Sequence, residues 1–451
     1  MVKLTLLIAM LLISSAQAVT VAIIDSGVDM KHVKLHPWIN PIEIANNDRD
    51  EDHNGYQDDV FGWNFAENNN QVIDYKYLGT FSQDPYLFFD IQLKTFLGTA
   101  TETERAWAKS KIKDPAFIKE MMIFGNFVHG THVAGITSMD EANNKVLAVK
   151  LIPTEVKLPI PSSKMLEEAE PSGIRISIIK GLLSQLTAQQ APVMHEIGAY
   201  VNIHKADVAN GSFGTGVTQG NAIVTAMFKL LYKREPTEVE AASLVKYFLQ
   251  ESLRSANKLV SSAPNTLFVF AAGNEGNDND KFPTSPASLD APNVITVAAT
   301  LNNNILASFS NYGVTTVDVA APGVGIYSTI PGDSYLKVSG TSQAAPYVAR
   351  IAGQIKSANP KLDVFSVKRI LMETVDKKSY LKAKVMSEGV VNPTRALYVA
   401  TQSKFFSLDQ AIELGKRNIK DLATVKMGPI PTVEDFSNYI LPLPSEYQVN
   451  F

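Results

Sequence analysis

Four residues of this chain are suited to act together in chemistry, Asp25, His129, Ser342 and Asn274, and each stands in a restrictive local setting. They occur within Ile23-Ile24-Asp25-Ser26-Gly27, His129-Gly130-Thr131-His132-Val133-Ala134-Gly135, Gly340-Thr341-Ser342-Gln343-Ala344-Ala345-Pro346 and Ala271-Ala272-Gly273-Asn274. A serine hydroxyl is a weak nucleophile until three conditions are met. A base must remove its proton, a carboxylate must hold that base in one tautomer, and donors must receive the oxyanion that forms. A carboxylate, an imidazole, a hydroxyl and a carboxamide are the parts such an acyl transfer needs.

Taken singly, each motif also has an ordinary structural reading. An aspartate closing an apolar strand is a common turn cap, and an asparagine beside glycine is a common turn residue. Ser342 is placed as a helix N-cap would be, with Pro346 expected in the first turn, where its missing donor is not needed. The same placement exposes the hydroxyl beside free amides at the positive end of the helix dipole. The glycines and alanine after His129 would let a helix begin against neighbouring backbone with the imidazole at its start. Two histidines three apart could also hold a metal, but the glutamate and the i, i+4 spacing of the His-Glu-x-x-His zinc helix are missing. His132 is therefore read as a buried, hydrogen-bonded partner.

The elements that would carry these groups are short apolar runs alternating with helical periodicity. Residues 19–24, 145–150, 206–210, 266–270 and 294–298 read as strands covered on both faces. Residues 174–186, 222–232, 239–259 and 342–356 repeat apolar positions near 3.6. That alternation predicts an α/β fold, a doubly wound parallel sheet flanked by helices. Functional groups in such sheets gather at the carboxyl ends of the strands, where Asp25 and Asn274 both fall.

The three segments in the order Asp25, His129, Ser342, with Ala271-Ala272-Gly273-Asn274 between the last two, resemble the subtilisin-like serine proteases. The resemblance implies a three-layer sandwich. It also implies roles: Ser342 as nucleophile, His129 as general base and then acid, Asp25 orienting His129, and Asn274 with the Ser342 amide as oxyanion hole. Asn210-Gly211-Ser212-Phe213-Gly214 is similar to the family's substrate-binding strand. Ser212, Phe213 and Gly214 would pair with an extended peptide, and Ala271, Ala272 and Gly273 would line the main side-chain pocket. Gly389-Val390-Val391-Asn392 is similar to the segment that closes the family's domain. The likeness covers most of residues 19–400, with insertions near 75–124, 153–195 and 215–263, so the chain reads as an enlarged member. Gln343, Tyr347, Arg350 and Gly211 depart from the commonest family pattern.

Composition sets the surroundings. In 451 residues, 45% are hydrophobic and 19% charged, and a net charge of −4 suggests no polyelectrolyte partner such as nucleic acid or an anionic membrane. There is no cysteine, which excludes thiol chemistry and leaves core packing to hold the fold. Lys3, the apolar run 4–13 and Ala16-Gln17-Ala18 have the layout of a cleavable signal peptide, residues 1–18, too short to span a bilayer. The expectation is therefore export, to the periplasm or the medium. No room for a propeptide separates Ala18 from Asp25, so restraint of activity is expected from the insertions or from the tail at 401–451. That tail reads as a short helix near 408–419 followed by a proline-containing extended stretch. Between Asp25 and His129, Asp50, Asp52, Asn54 and Asp58 have the alternation of a calcium loop, with Phe61 where the bidentate glutamate would stand. Calcium, where bound, would be structural, since the chemistry needs no cofactor. Protein or peptide substrates are the expected partners. A catalytically silent peptide-binding protein and a hydrolase acting on another acyl group are the rival functions.

Overall fold

The computed structural model describes residues 17–155, 175–423 and 444–445. Most of residues 1–18, read as a signal peptide, residues 156–174 and about half of the tail at 401–451 lie outside them. Nine strands form the path of the central sheet: β1 (Val19–Asp25), β2 (Gly62–Asn64), β3 (Asn144–Lys150), β4 (Val208–Gly211), β5 (Leu267–Ala271), β6 (Val294–Leu301), β8 (Val319–Pro322), β11 (Asp376–Lys377) and β12 (Gly389–Val390). Their order is β11-β12-β8-β6-β5-β4-β1-β3-β2, and β7 (Ile305–Leu306) pairs antiparallel with β6 off that path. All pairings along the path are parallel except the outermost, β11 with β12. The α/β class is as expected, with antiparallel additions towards one end.

β1 shows why the sheet carries a helix layer on each side. Its side chains alternate between faces. Val21 and Ile23 enter one apolar cluster with Val133, Val348 and Ile351, whereas Ala22 and Ile24 enter another with Ile197, Tyr200 and Leu259. The helices Pro115–Ser138 and Thr341–Ala358 thus cover one face, and Arg175–Ile203 and Glu238–Ser262 the other. β3 lies on one side of β1 and β4 on the other, so the chain reverses its winding at β1 and opens a crevice at the strand ends.

The first insertion folds into the helices Asp84–Phe96 and Glu102–Lys111 and the first part of Pro115–Ser138. The middle helix begins with a capping box in which Thr101 and Glu104 satisfy each other's backbone amides. Together these helices bury Phe88, Phe89, Phe117, Met121, Phe124 and Phe127 against Ile330 of β9 (Ile326–Ile330), which forms a hairpin with β10 (Ser334–Val338). The third insertion yields the helices Val217–Tyr232 and Glu238–Ser262. Beyond residue 400 lies the helix Leu408–Asn418.

Candidate active site

Asp25 ends β1 and is fully buried. Its Oδ1 accepts from the Ser26 amide at 2.7 Å and lies 2.7 Å from His129 Nδ1, while Oδ2 has no hydrogen-bond partner among the described residues. A buried carboxylate is costly unless paired, and the imidazole supplies the pairing. The close approach depends on Gly130: a Cβ there would stand 2.2 Å from the Gly27 carbonyl oxygen and 3.1 Å from Asp25 Oδ1.

His129 does not open its helix, contrary to the sequence expectation. The helix starts at Pro115, capped by the Asp114 carboxylate on the Ala116 amide, and a face carrying buried Phe117, Met121, Phe124 and Phe127 leads on to His129. One turn later, His132 is buried with Nε2 3.0 Å from the Leu336 carbonyl. Burial lowers its pKa to about 4, so it is a neutral bridge to the β9–β10 hairpin at neutral pH.

Ser342 is the second residue of its helix, after Gly340 at the N-cap. Pro346 falls in the helix interior rather than in the first turn, so its absent N–H leaves the Ser342 carbonyl without the usual i+4 donor. The Ser212 hydroxyl donates to that carbonyl at 3.0 Å, and the Ser342 hydroxyl donates back to the Ser212 carbonyl at 3.3 Å. Among the described residues the Ser342 hydroxyl makes no bond to His129. A loose nucleophile–base contact is common without substrate.

Asn274 follows β5 with its amide oriented by its neighbours. The Thr341 amide and hydroxyl both donate to Asn274 Oδ1, at 2.9 and 2.8 Å, and the Gly273 amide donates to that hydroxyl at 3.1 Å. With the oxygen so held, Nδ2 faces the other way. His129, Asn274 and Ser342 line one cavity of about 210 Å³ with Phe89, Met121 and Gln343.

The family model of the subtilases matches residues 16–392, well over half of the sequence. The chain belongs to the subtilase family. Its relatives include Subtilisin-like protease 2 of Plasmodium falciparum, 33% identical over 36% of this chain and 13% of that protein, and Subtilisin BL of Lederbergia lenta, 34% identical over 33% and 50%. The chain therefore spans half or less of these relatives' lengths. A solved cold-adapted subtilisin-like serine proteinase aligns over 82% of this chain and 89% of its own, at 19% identity and a TM-score of 0.41.

In this subtilase the substrate-facing residues named from sequence separate into two groups. Gly214 and Gly273 border a small pocket with Gly216, Gln219, Asn274, Glu275 and Thr284, and Ser212 pairs with Ser342. Phe213 instead packs its side chain against Phe270, and Ala271 and Ala272 sit in core clusters. Sequence reasoning missed Phe89, Met121, Gln219 and Glu275. The insertions show helical periodicity, but periodicity does not say which helix face turns to the cleft.

The acidic loop is arranged differently from the calcium pattern read in the sequence. Asp50 accepts from the Asn54 and Gly55 amides and Asp58 from the Asn47 and Asp48 amides, so both fold the loop itself. Among the described residues, the carboxylates that converge within 4.8 Å are Asp52 with Glu43 and Asp59. The carboxamides of Asn40 and Asn54 bridge Asp52 and Asp59. Burial raises the pKa of Glu43. For Asp59, burial is outweighed by bonds from His204, Tyr200, Asn40 and Asn54, which hold it below the usual range.

Proposed function

We propose that this protein is an exported serine endopeptidase acting through Asp25, His129 and Ser342. The observation that carries the reading is the 2.7 Å contact between His129 Nδ1 and the buried Asp25 carboxylate, in a crevice where His129, Ser342 and Asn274 share one cavity. With Nδ1–H donated to Asp25, Nε2 is left as the basic nitrogen. His129 takes the Ser342 proton as Oγ attacks the peptide carbonyl, then returns it to the leaving amine. Asn274 Nδ2 and the Ser342 amide receive the oxyanion, a charge the dipole of the serine helix also favours. An extended peptide would pair with the backbone of residues 212–214, which directly follows β4, and recognition through main-chain bonds would make cleavage internal and tolerant of sequence.

Export rests on the charged, apolar and small-residue layout of residues 1–18. A structural calcium ion is proposed at the loop, with Glu43, Asp52 and Asp59 as its carboxylates and no part in the reaction. Treating purified mature protein with a fluorophosphonate probe tests the central reading. Covalent labelling of the parent and none of folded Ser342→Ala is expected, together with casein cleavage by the parent only. An unlabelled, folded parent rules out an activated serine, and labelling without casein cleavage moves the activity to another acyl substrate.

A further inference from the structure

The strand end beside Ser342 already carries a second stretch of this chain. The Gly214 amide donates to the Pro444 carbonyl at 2.8 Å, and the Ser445 and Thr215 hydroxyls share a hydrogen bond of 2.7 Å. Both tail residues are buried, Ser445 completely, and Pro444 lines the cavity that holds His129, Asn274 and Ser342. Extended peptides are captured at strand edges by main-chain bonds of this type, which give affinity whatever the side chains. Pro444 suits the position, since it offers a carbonyl, leaves no N–H to be satisfied in a buried site, and its fixed φ lowers the entropy lost on docking.

The same tail is tethered upstream. The Arg395 guanidinium donates to the Ile419 carbonyl at 2.9 Å and to the Asp421 carboxylate at 2.7 Å, and the Leu422 amide donates to Asp376 Oδ2 at 2.7 Å. Roughly twenty residues then lead to Pro444, enough chain to reach about 70 Å when extended. Docking is therefore intramolecular, so substrate competes with a tail present at an effective concentration on the order of millimolar.

We infer that Pro444 and Ser445 occupy the peptide groove as an intramolecular competitor of substrate. The inference rests on the peptidase reading, and it sharpens the expectation that restraint falls to the insertions or the tail. A docked tail removes a fraction of molecules from the binding-competent state, so it raises KM and leaves kcat untouched.

The test uses the full chain. Ser445→Arg places a long cation where a fully buried hydroxyl fits, and it is expected to lower KM for an extended peptide p-nitroanilide by about tenfold at unchanged kcat. In the Ser342→Ala background, where nothing is cleaved, the same change should tighten binding of a fluorescent extended peptide by a similar factor. A synthetic peptide of residues 440–450 should inhibit the Ser445→Arg protein competitively. Unchanged KM and unchanged peptide affinity in variants that melt as the parent does would overturn the inference, as would a synthetic peptide that fails to compete. If no turnover occurs in any form but the Ser342→Ala pair still differ in peptide affinity, the peptidase reading fails and the groove docking stands.

Discussion

Thr341 turns the orientation of Asn274 into a property of the backbone. A carboxamide can flip at little cost in open solvent, but here its oxygen accepts both an N–H and an O–H from one threonine, whose hydroxyl is itself held by the Gly273 amide. Thr341 is thus a positioning residue for the proposed oxyanion donor. Thr341→Val keeps the amide bond and the shape and removes the hydroxyl link. The expected result is a fall in kcat of about tenfold, roughly one net hydrogen bond, with KM little changed. Asn274→Ala should cost more, about 10²- to 10³-fold in kcat, a magnitude established on subtilisin itself. Equal kcat for Thr341→Val and parent would show that Asn274 needs no such support. Gln343, one of the departures from the family pattern, adds a further polar group to the cavity, its Nε2 buried without a partner among the described residues.

At the scale of elements, the segments that were legible in the sequence are those whose pattern is fixed locally. Residues 19–24 formed a strand because the run is short, apolar and β-branched, and 342–356 formed a helix because its apolar positions follow one face. The start of the histidine helix was not legible, since the His-Gly-Thr-His motif looks like an opening while the cap and proline that actually start it lie within an insertion. At the acidic loop the pattern is less informative for a related reason: alternating carboxylates suggest ligands, but a carboxylate can equally accept from nearby amides, as Asp50, Asp58 and Glu43 all do. Which acids converge depended on Glu43 and Asp59, outside the set of four. If calcium binds at Glu43, Asp52 and Asp59, then adding it to chelator-treated protein at 100 times its Kd should stabilise the fold by about 2.7 kcal/mol. Thermal unfolding with and without the ion measures this, and an unchanged Tm removes the proposed site.

For the whole molecule, the pH dependence of stability follows from the way the His129 helix, Pro115–Ser138, is fastened to the β9–β10 hairpin. His132 is buried between them and bonded to the Leu336 carbonyl, with the Ser328 and Thr329 hydroxyls donating to the His132 and Thr131 carbonyls at 2.7 and 2.8 Å. Burial, reinforced by the repulsion that His129 would exert, lowers its pKa from 6.5 to about 4. The unfolded chain therefore binds a proton at a higher pH than the folded one does. The contribution is fully present above pH 6.5 and is lost progressively as pH falls towards 4, amounting to about 3 kcal/mol across that interval. Chemical denaturation at pH 7 and at pH 4 should show this loss in the parent. His132→Gln, which keeps an N–H donor for Leu336 but cannot titrate, should begin less stable at pH 7 and lose about 3 kcal/mol less on acidification. An identical loss in both proteins would place the acid sensitivity elsewhere, and then the interface between helix and hairpin would not be what acid loosens first.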